Sequence, residues 1–152
     1  MIRVMFVCHG NICRSTMAEF LFRDRVEKMG LGDKFYIASS ATSREEIGNG
    51  VHYGTARVLD RFGIDYSKKK AVQLTKADAE RYDYFIGMDD ANVRNMTKIL
   101  ASGDKVFKFL EFSGSTASIA DPWYTGNFEE TLRDVEKGID GFLKHLIEEG
   151  KI

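Results

Sequence analysis

Apolar residues along this chain follow two different periods. Short runs that are apolar at nearly every position predict strands buried on both faces of a sheet. Longer segments with an apolar residue every three or four positions predict amphipathic helices. The predicted strands cover residues 2–7, 34–38, 84–88 and 106–110. The predicted helices cover the segment after the first loop up to Gly30, then residues 51–62, 75–82 and 90–100, and the region from Asn127 onward.

Alternation of strands with helices indicates crossover connections and therefore a parallel sheet. We expect an α/β fold in which residues 1–152 form a single domain, with a four-stranded parallel sheet flanked by helices on both faces. Thr16 and Glu19 have the spacing of a capping box at the start of the first helix. The apolar faces predicted for the first and last helices are Met17, Leu21, Phe22, Val26 and Met29, and Phe128, Leu132, Val135, Ile139, Phe142, Leu146 and Ile147.

Composition and charge narrow the class of protein. Hydrophobic residues make up 43% of the 152 residues and charged residues 30%, as in ordinary globular proteins. Lys and Arg total 22 against 23 for Asp and Glu, so the overall charge does not favour binding to nucleic acid or to a membrane surface. The first residues are too short an apolar run for a signal peptide, and we expect a cytoplasmic protein. Two cysteines only five positions apart argue for reactivity rather than for a disulfide framework.

The loop after the first predicted strand carries the strongest chemical signal. It reads Cys8-His9-Gly10-Asn11-Ile12-Cys13-Arg14 and leads directly into a helix. Such a loop directs several backbone N–H groups to one point, where the helix dipole adds roughly half a positive charge. Arg14 has a planar fork that can hold two phosphate oxygens, and the same positive field favours the thiolate of Cys8. We predict that residues 9–14 bind a phosphate group and that Cys8 is the nucleophile.

A second candidate for catalysis lies far along the chain. Departure of a tyrosine side chain from phosphorus is easier when a positioned acid protonates its oxygen. Asp121 is the best candidate for this acid, because Pro122 constrains the backbone of its loop. Trp123 and Tyr124 can form an aromatic wall for the substrate ring. The same carboxylate can later accept a proton from the attacking water.

Together these segments resemble the low-molecular-weight protein tyrosine phosphatases. The resemblance takes in residues 7–15, 17–19, 39–43, 46–48, 84–89 and 121–124, and so extends over nearly the whole chain. It implies that Cys8 is the nucleophile, Arg14 the phosphate clamp and Asp121 the general acid. It also implies that Asn11, Ser15 and Ser39 support the loop and the thiolate. The expected activity is hydrolysis of phosphotyrosine in proteins and of small aryl phosphates through a phosphocysteine intermediate, without a metal or other cofactor.

Three positions depart from the pattern of this family. Thr16 stands where proline is usual. Glu45 stands at a rim position that is often aromatic in eukaryotic members, and with Trp123 and Tyr124 it forms the predicted substrate rim. Around residues 68–70 there is no match for a supporting histidine, and these lysines are interpreted as a solvated loop.

Three other functions of the same fold predict different residues at these positions. A thiol-dependent arsenate reductase needs cysteines beyond Cys8 and Cys13, and this chain has none. The bacterial protein arginine phosphatases typically carry threonine where this chain has Ile12. A noncatalytic phosphate-recognition module needs neither a thiolate nor a proton donor, whereas Cys8 and Asp121 are both present.

The remaining candidates concern redox chemistry, metals and partners. Cys13 can pack under the loop, or it can form a reversible disulfide with Cys8 that protects the thiolate from further oxidation. His9, His52 and His145 lack a metal-ligand spacing with the cysteines, so we interpret them as solvated or packed. We expect a phosphotyrosine-containing protein as substrate, no nucleic-acid or membrane partner, and a monomer whose exposed aromatic rim can support weak self-association.

Overall fold

A computed structural model describes all residues from Met1 to Ile152. Strands and α-helices alternate along the chain, and three short 3-10 helices lie between them. The strands are β1 (Ile2–Cys8), β2 (Phe35–Ala41), β3 (Tyr84–Gly87) and β4 (Val106–Lys108). The α-helices are α1 (Arg14–Lys28), α2 (Tyr53–Arg61), α3 (Asp90–Leu100), α4 (Pro122–Thr125) and α5 (Phe128–Glu148). The 3-10 helices are Gly32–Lys34, Lys76–Glu80 and Phe109–Ser113.

The four strands form one parallel sheet in the order β2-β1-β3-β4, which confirms the predicted fold class. Alternate residues of the central strand β1 enter two separate cores. Val4 and Phe6 pack with residues of α1, α2 and α5, whereas Met5 and Val7 pack with residues of α3. Helices therefore cover both faces of the sheet, and β1 ends between them at Cys8. None of the helices combines the length and apolar character needed to cross a bilayer.

Two strands end more than one residue away from the predicted position. β2 continues to Ala41 rather than ending at Ala38, because small polar residues pair in register with the last residues of β1. This extension aligns Ser39 with Phe6 and brings Ser39 to the edge of the Cys8 loop. The predicted strand over residues 106–110 is too long. It ends at Lys108, because the chain turns into a 3-10 helix that buries Phe109 and Leu110.

The predicted capping box at Thr16 and Glu19 is wrong. The helix α1 begins at Arg14, its N-cap is Cys13, and no side chain caps it. Thr16 lies inside the first turn and donates to the backbone oxygen of Cys13 (3.0 Å). Glu19 is buried and turned toward β2, where Ser39 donates to it. The first helix thus supplies polar side chains to the site instead of capping its own end.

The predicted apolar face of α5 is nearly complete in the structure. Five of its members are buried, namely Leu132, Val135, Ile139, Phe142 and Leu146. Ile147 is exposed, because the helix ends one residue later and nothing covers its last turn on that side. Met29 is also exposed, because it follows the end of α1. Both were wrongly predicted as core residues from their spacing alone.

Close packing of α5 on the turn after β4 requires a glycine. A Cβ atom at Gly141 would lie 2.6 Å from the backbone carbon of Phe112, which cannot move aside as a flexible side chain can. We therefore expect Gly141→Ala to lower the free energy of unfolding by about 1–3 kcal/mol, the usual cost of overpacking, despite the better helix propensity of alanine. Urea unfolding followed by circular dichroism measures this change.

Gly50→Ala is the matched control. No atom lies within 4 Å of a Cβ built at Gly50, so its effect should stay within about 0.5 kcal/mol. Equal midpoints and slopes for both variants would contradict the close packing described for Gly141.

Candidate active site

The loop between β1 and α1 folds around the sulfur of Cys8. Asn11 adopts a left-handed backbone conformation (φ 60°), which asparagine tolerates better than most residues, and this lets the chain reverse within a few residues. The backbone N–H groups of Asn11 and Ser15 point at Sγ of Cys8, at 3.4 and 3.5 Å. Oγ of Ser15 lies 3.1 Å from the same sulfur. Three polar groups thus surround the sulfur where a negative charge needs support.

Asn11 connects the loop to the neighbouring strand. Its side-chain amide donates to Oγ of Ser15 (2.8 Å) and to Oγ of Ser39 (2.9 Å). Its side-chain oxygen accepts a bond from the backbone N–H of Val72 (3.2 Å). The side chains of Asn11, Ser15 and Ser39 are almost fully buried. The structure therefore brings together the three residues for which a supporting role was predicted.

Arg14 lies at the opposite end of the loop, buried and surrounded by acceptors. Its guanidinium donates to Asp89 (2.7 Å), to the backbone oxygen of Ile119 (2.9 Å) and to Asp121 (3.5 Å). Burial by itself lowers the pKa of Arg14, but the negative charge of Cys8 and the hydrogen bond to Asp89 outweigh it and raise that pKa. The side chain therefore provides a permanent positive charge beside the sulfur.

Asp121 reaches the site from a different part of the chain. It is the N-cap of the short helix α4, where one carboxylate oxygen accepts the backbone N–H of Trp123 (3.1 Å). The other oxygen faces Arg14. About a quarter of the side chain is exposed, and it borders the cleft. Gly126, in the left-handed region (φ 69°), ends this helix and returns the chain to α5.

A cleft opens above Cys8 between the loop, the segment after β2 and α4. Its rim combines carboxylates with exposed aromatic rings. Nε2 of His9 and a carboxylate oxygen of Glu45 lie 2.9 Å apart. Trp123 and Tyr124 are 57% and 84% exposed. The lining residues are Cys8, His9, Gly10, Ile12, Cys13, Arg14, Glu45, Glu46, Asp121, Trp123 and Tyr124.

The chain matches a known family over almost its full length. The model of the family described as low molecular weight phosphotyrosine protein phosphatase matches residues 3–152. A low molecular weight protein-tyrosine-phosphatase of Bacillus subtilis, YfkJ, is 36% identical over 156 residues, which cover 100% of both chains. A low molecular weight phosphotyrosine protein phosphatase of Schizosaccharomyces pombe is 40% identical over 131 residues, 83% of each chain.

Solved structures agree with the sequence comparison. The crystal structure of YfkJ superposes with a TM-score of 0.91 at 37% identity and covers 98% of this chain and 96% of that one. The phosphatase SP-PTP of Streptococcus pyogenes superposes with a TM-score of 0.86 at 42% identity, covering 96% and 93%. The chain belongs to the low-molecular-weight phosphotyrosine protein phosphatase family. This confirms the resemblance seen in its sequence.

Three charged residues near this phosphatase cleft were not predicted to belong to the site. Asp89 caps α3 with one oxygen (Asn92 N–H, 2.7 Å) and accepts from Arg14 with the other. Its position before Asp90-Ala91-Asn92 is a helix-start signal that could have identified the cap, though not the contact with Arg14. Glu19 and Lys69 lie behind the loop and approach each other at 3.8 Å. The prediction that residues 68–70 are all solvated is therefore wrong for Lys69, whose side chain is only 13% exposed.

Burial shifts the pKa of both Cys13 and His52. Cys13 packs with Ile12 and Ala71, and both cysteines are free. Burial, followed by the nearby negative charges of Cys8 and Asp121, raises the pKa of Cys13 to about 12. His52 stacks between Tyr53 and Phe128 and caps α2, and its burial lowers its pKa. No group of three or more His, Cys, Asp or Glu side chains is arranged to hold a metal ion.

The two cysteines should differ sharply in reactivity. Only the thiolate form attacks an alkylating agent, and a pKa of about 12 keeps Cys13 protonated at neutral pH. At pH 7 we expect iodoacetamide to add a single group to the native protein, at Cys8. Intact-protein mass spectrometry with peptide mapping measures the number and the position of the adducts.

The single cysteine variants are the controls for this experiment. Cys13→Ser should still gain one group, and folded Cys8→Ser should gain none. Modification of Cys13 at a rate similar to that of Cys8 would contradict the raised pKa of Cys13.

Proposed function

We propose that this chain hydrolyses phosphotyrosine in proteins, and small aryl phosphates, through a phosphocysteine intermediate on Cys8, and that residues 1–152 act as one phosphatase domain. The observation that carries the proposal is the cleft itself. A sulfur that accepts two backbone N–H groups, a buried guanidinium and a partly exposed carboxylate all border one opening. A nucleophile, an anion clamp and a proton donor are what phosphate-ester cleavage needs.

In the first step, the phosphate group occupies the loop, with its oxygens bound by backbone N–H groups and by Arg14. The Cys8 thiolate attacks phosphorus, the sulfur–phosphorus bond forms and the bond to the tyrosine oxygen breaks. Protonated Asp121 gives its proton to the departing oxygen, which leaves as neutral tyrosine. The positive charge of Arg14 stabilises the negative charge on the phosphoryl oxygens throughout this step.

In the second step, water attacks phosphorus and restores the enzyme. Asp121, now a carboxylate, accepts a proton from that water while the sulfur–phosphorus bond breaks and the Cys8 thiolate leaves. The contact between Asp121 and Arg14 is long (3.5 Å). A bound phosphate can therefore replace it at the guanidinium without breaking a strong ion pair, and the carboxylate becomes free for proton transfer.

The rim supports a phosphotyrosine-containing protein as the substrate. Trp123 and Tyr124 offer exposed aromatic faces beside the opening, against which a phenyl ring can pack. Ile12 also lines the cleft and adds an apolar surface rather than a hydroxyl group. The phosphotyrosine assignment is therefore favoured over a phosphoarginine one. The two free thiols suit a reducing compartment such as the cytoplasm.

Steady hydrolysis of para-nitrophenyl phosphate in the presence of a chelator is the direct test. We expect turnover by the parent protein and none by Cys8→Ser, because serine is not appreciably ionised in this field. The variant should still bind inorganic phosphate, since its backbone N–H groups and Arg14 are unchanged. Near-normal turnover by the folded variant would remove Cys8 from the mechanism, and an inactive parent that binds phosphopeptides would favour a recognition module.

Asp121→Asn tests the proton donor while preserving its size. The expected loss is on the order of 10²- to 10⁴-fold in turnover of substrates with poor leaving groups. Leaving groups that depart as stable anions need less protonation, so single-turnover rates should depend more steeply on leaving-group basicity in the variant than in the parent. Equal slopes would reject Asp121 as the proton donor, even if the variant were slow.

A further inference from the structure

The hydrogen bonds that lead to Cys8 have a definite direction. An asparagine amide nitrogen can only donate, so Asn11 gives one proton to Ser15 and the other to Ser39. A lone pair on Oγ of Ser15 is then occupied, and its own hydroxyl proton is free to point at the sulfur 3.1 Å away. This orientation supports the thiolate form of Cys8. It depends on Ser39 accepting from Asn11 through its hydroxyl oxygen.

Glu19 determines how the hydroxyl of Ser39 is oriented. Ser39 donates its single hydroxyl proton to one carboxylate oxygen of Glu19, which leaves its lone pairs available to Asn11. An ionised carboxylate accepts only, so it cannot reverse this bond. Glu19 is buried, with an exposed side-chain fraction of 7%, and a buried carboxylate needs cations nearby to stay ionised.

Two cations face Glu19 from different elements. Arg23, one turn later on α1, donates to Glu19 (2.7 Å) and to the backbone oxygen of Ile37 (2.7 Å). Lys69 approaches from the loop after α2, with its ammonium 3.8 Å from Glu19 and 2.8 Å from the backbone oxygen of Ser39. Lys69 therefore contacts both the strand residue and the carboxylate that orients it.

Lys69 differs from its two neighbours in burial and charge environment. Lys68 and Lys70 are exposed, whereas Lys69 turns inward. Burial lowers the pKa of Lys69, and the positive charge of Arg23 acts in the same direction, while the negative Glu19 and Cys8 oppose them. The segment that carries Lys69 also supplies the Val72 N–H that holds the side-chain oxygen of Asn11. The segment from Lys69 to Val72 therefore contacts both Glu19 and Asn11.

We propose that Lys69 and Glu19 are positioning residues for the nucleophile: their buried ion pair keeps the hydrogen bonds Glu19–Ser39–Asn11–Ser15 directed toward the Cys8 thiolate. The inference rests on the proposed function, because it concerns the nucleophile of that reaction. Neither residue touches the substrate. Both act through Ser39, and the effect of removing them is expected on the ionisation of Cys8 and on turnover, with little effect on phosphate binding by the loop itself.

Lys69→Met removes the charge and keeps the length of the side chain, while Lys68→Met and Lys70→Met make the same change on either side. We expect Lys69→Met to lower kcat for para-nitrophenyl phosphate about tenfold and to raise the midpoint of the pH dependence of iodoacetamide alkylation by about one pH unit. Inhibition by inorganic phosphate should change less than threefold. The two control variants should match the parent in every measurement.

A double-mutant cycle with Ser39→Ala separates the hydrogen-bond route from a direct electrostatic effect. If Lys69 acts through Ser39, Lys69→Met should shift the alkylation midpoint little once Ser39→Ala is present. An equal shift in both backgrounds would overturn the proposed route, since a direct charge effect of Lys69 on Cys8 does not need the hydroxyl. Alkylation and turnover of Lys69→Met indistinguishable from those of Lys68→Met would overturn the proposal as a whole.

Two further measurements distinguish the proposed role of Lys69 from an effect on folding and from a failure of the proposed function. Thermal unfolding of each variant reports stability, and a lower melting temperature with an unchanged alkylation profile would assign Lys69 a merely structural role and overturn the proposal. If Lys69→Met does not fold, the variant Glu19→Gln/Lys69→Met removes both charges and leaves no carboxylate unpaired. It should show the same upward shift, and an unchanged midpoint counts against the proposal. Absence of turnover in the parent would instead contradict the proposed function.

Discussion

The site depends on one constraint: the loop between Cys8 and Arg14 must reverse direction between a buried strand and a buried helix. Both end residues are themselves almost inaccessible to solvent. Bulk water does not reach the polar groups at the buried positions of this loop, so the protein must satisfy them. Backbone N–H groups accordingly converge on the sulfur, and Asn11, in its left-handed conformation, joins the loop to Ser15, Ser39 and the chain at Val72.

The same burial explains how charge is arranged around the loop. Arg14 is a buried cation, and it is accompanied by Asp89 and, at longer distance, Asp121. Glu19 is a buried anion on the other side, and it is accompanied by Arg23 and Lys69. Buried charges without partners are strongly destabilising, so each of these groups constrains its neighbours. Reactive and supporting groups are thereby held in one orientation before any substrate binds, which is how electrostatic catalysis in a dry site becomes effective.

The rim is built in a different way from the loop. Glu45, Trp123 and Tyr124 are largely exposed and are attached to short segments rather than to the sheet. Trp123 is the better supported of the two aromatic residues, because His52 packs edge-on against it at 5.6 Å. Under the proposed function, the loop holds the phosphate and the open rim contacts the rest of the substrate, so different segments serve the chemistry and the recognition. The rim can therefore vary without disturbing the nucleophile.

Local patterns in the sequence were sufficient for much of the architecture. Apolar periodicity identified all four strands and five of the six buried apolar residues of α5, Leu143 being the one it missed, and the chemistry of residues 8–14 indicated an anion-binding loop. Strand ends were less predictable. Ser39 belongs to β2 because it pairs in register with Phe6 of β1. Phe109 lies outside β4 because the chain turns into a 3-10 helix there and buries the Phe109 ring in the core. Neither cause is local to the segment that it changes.

What the sequence by itself determined is the fold class and the residues at the ends of the loop, since these follow from periodicity and from chemistry within one short segment. What only the tertiary structure decided is which distant side chains meet there. Spacing suggested that Glu19 caps a helix and that Lys69 is solvated, yet the two face each other behind the loop. Asp89 and Arg14 are 75 positions apart and form the shorter of the two ion pairs of Arg14. Such contacts arise from the packing of separate elements around the sheet, and the pattern of a single element does not contain them.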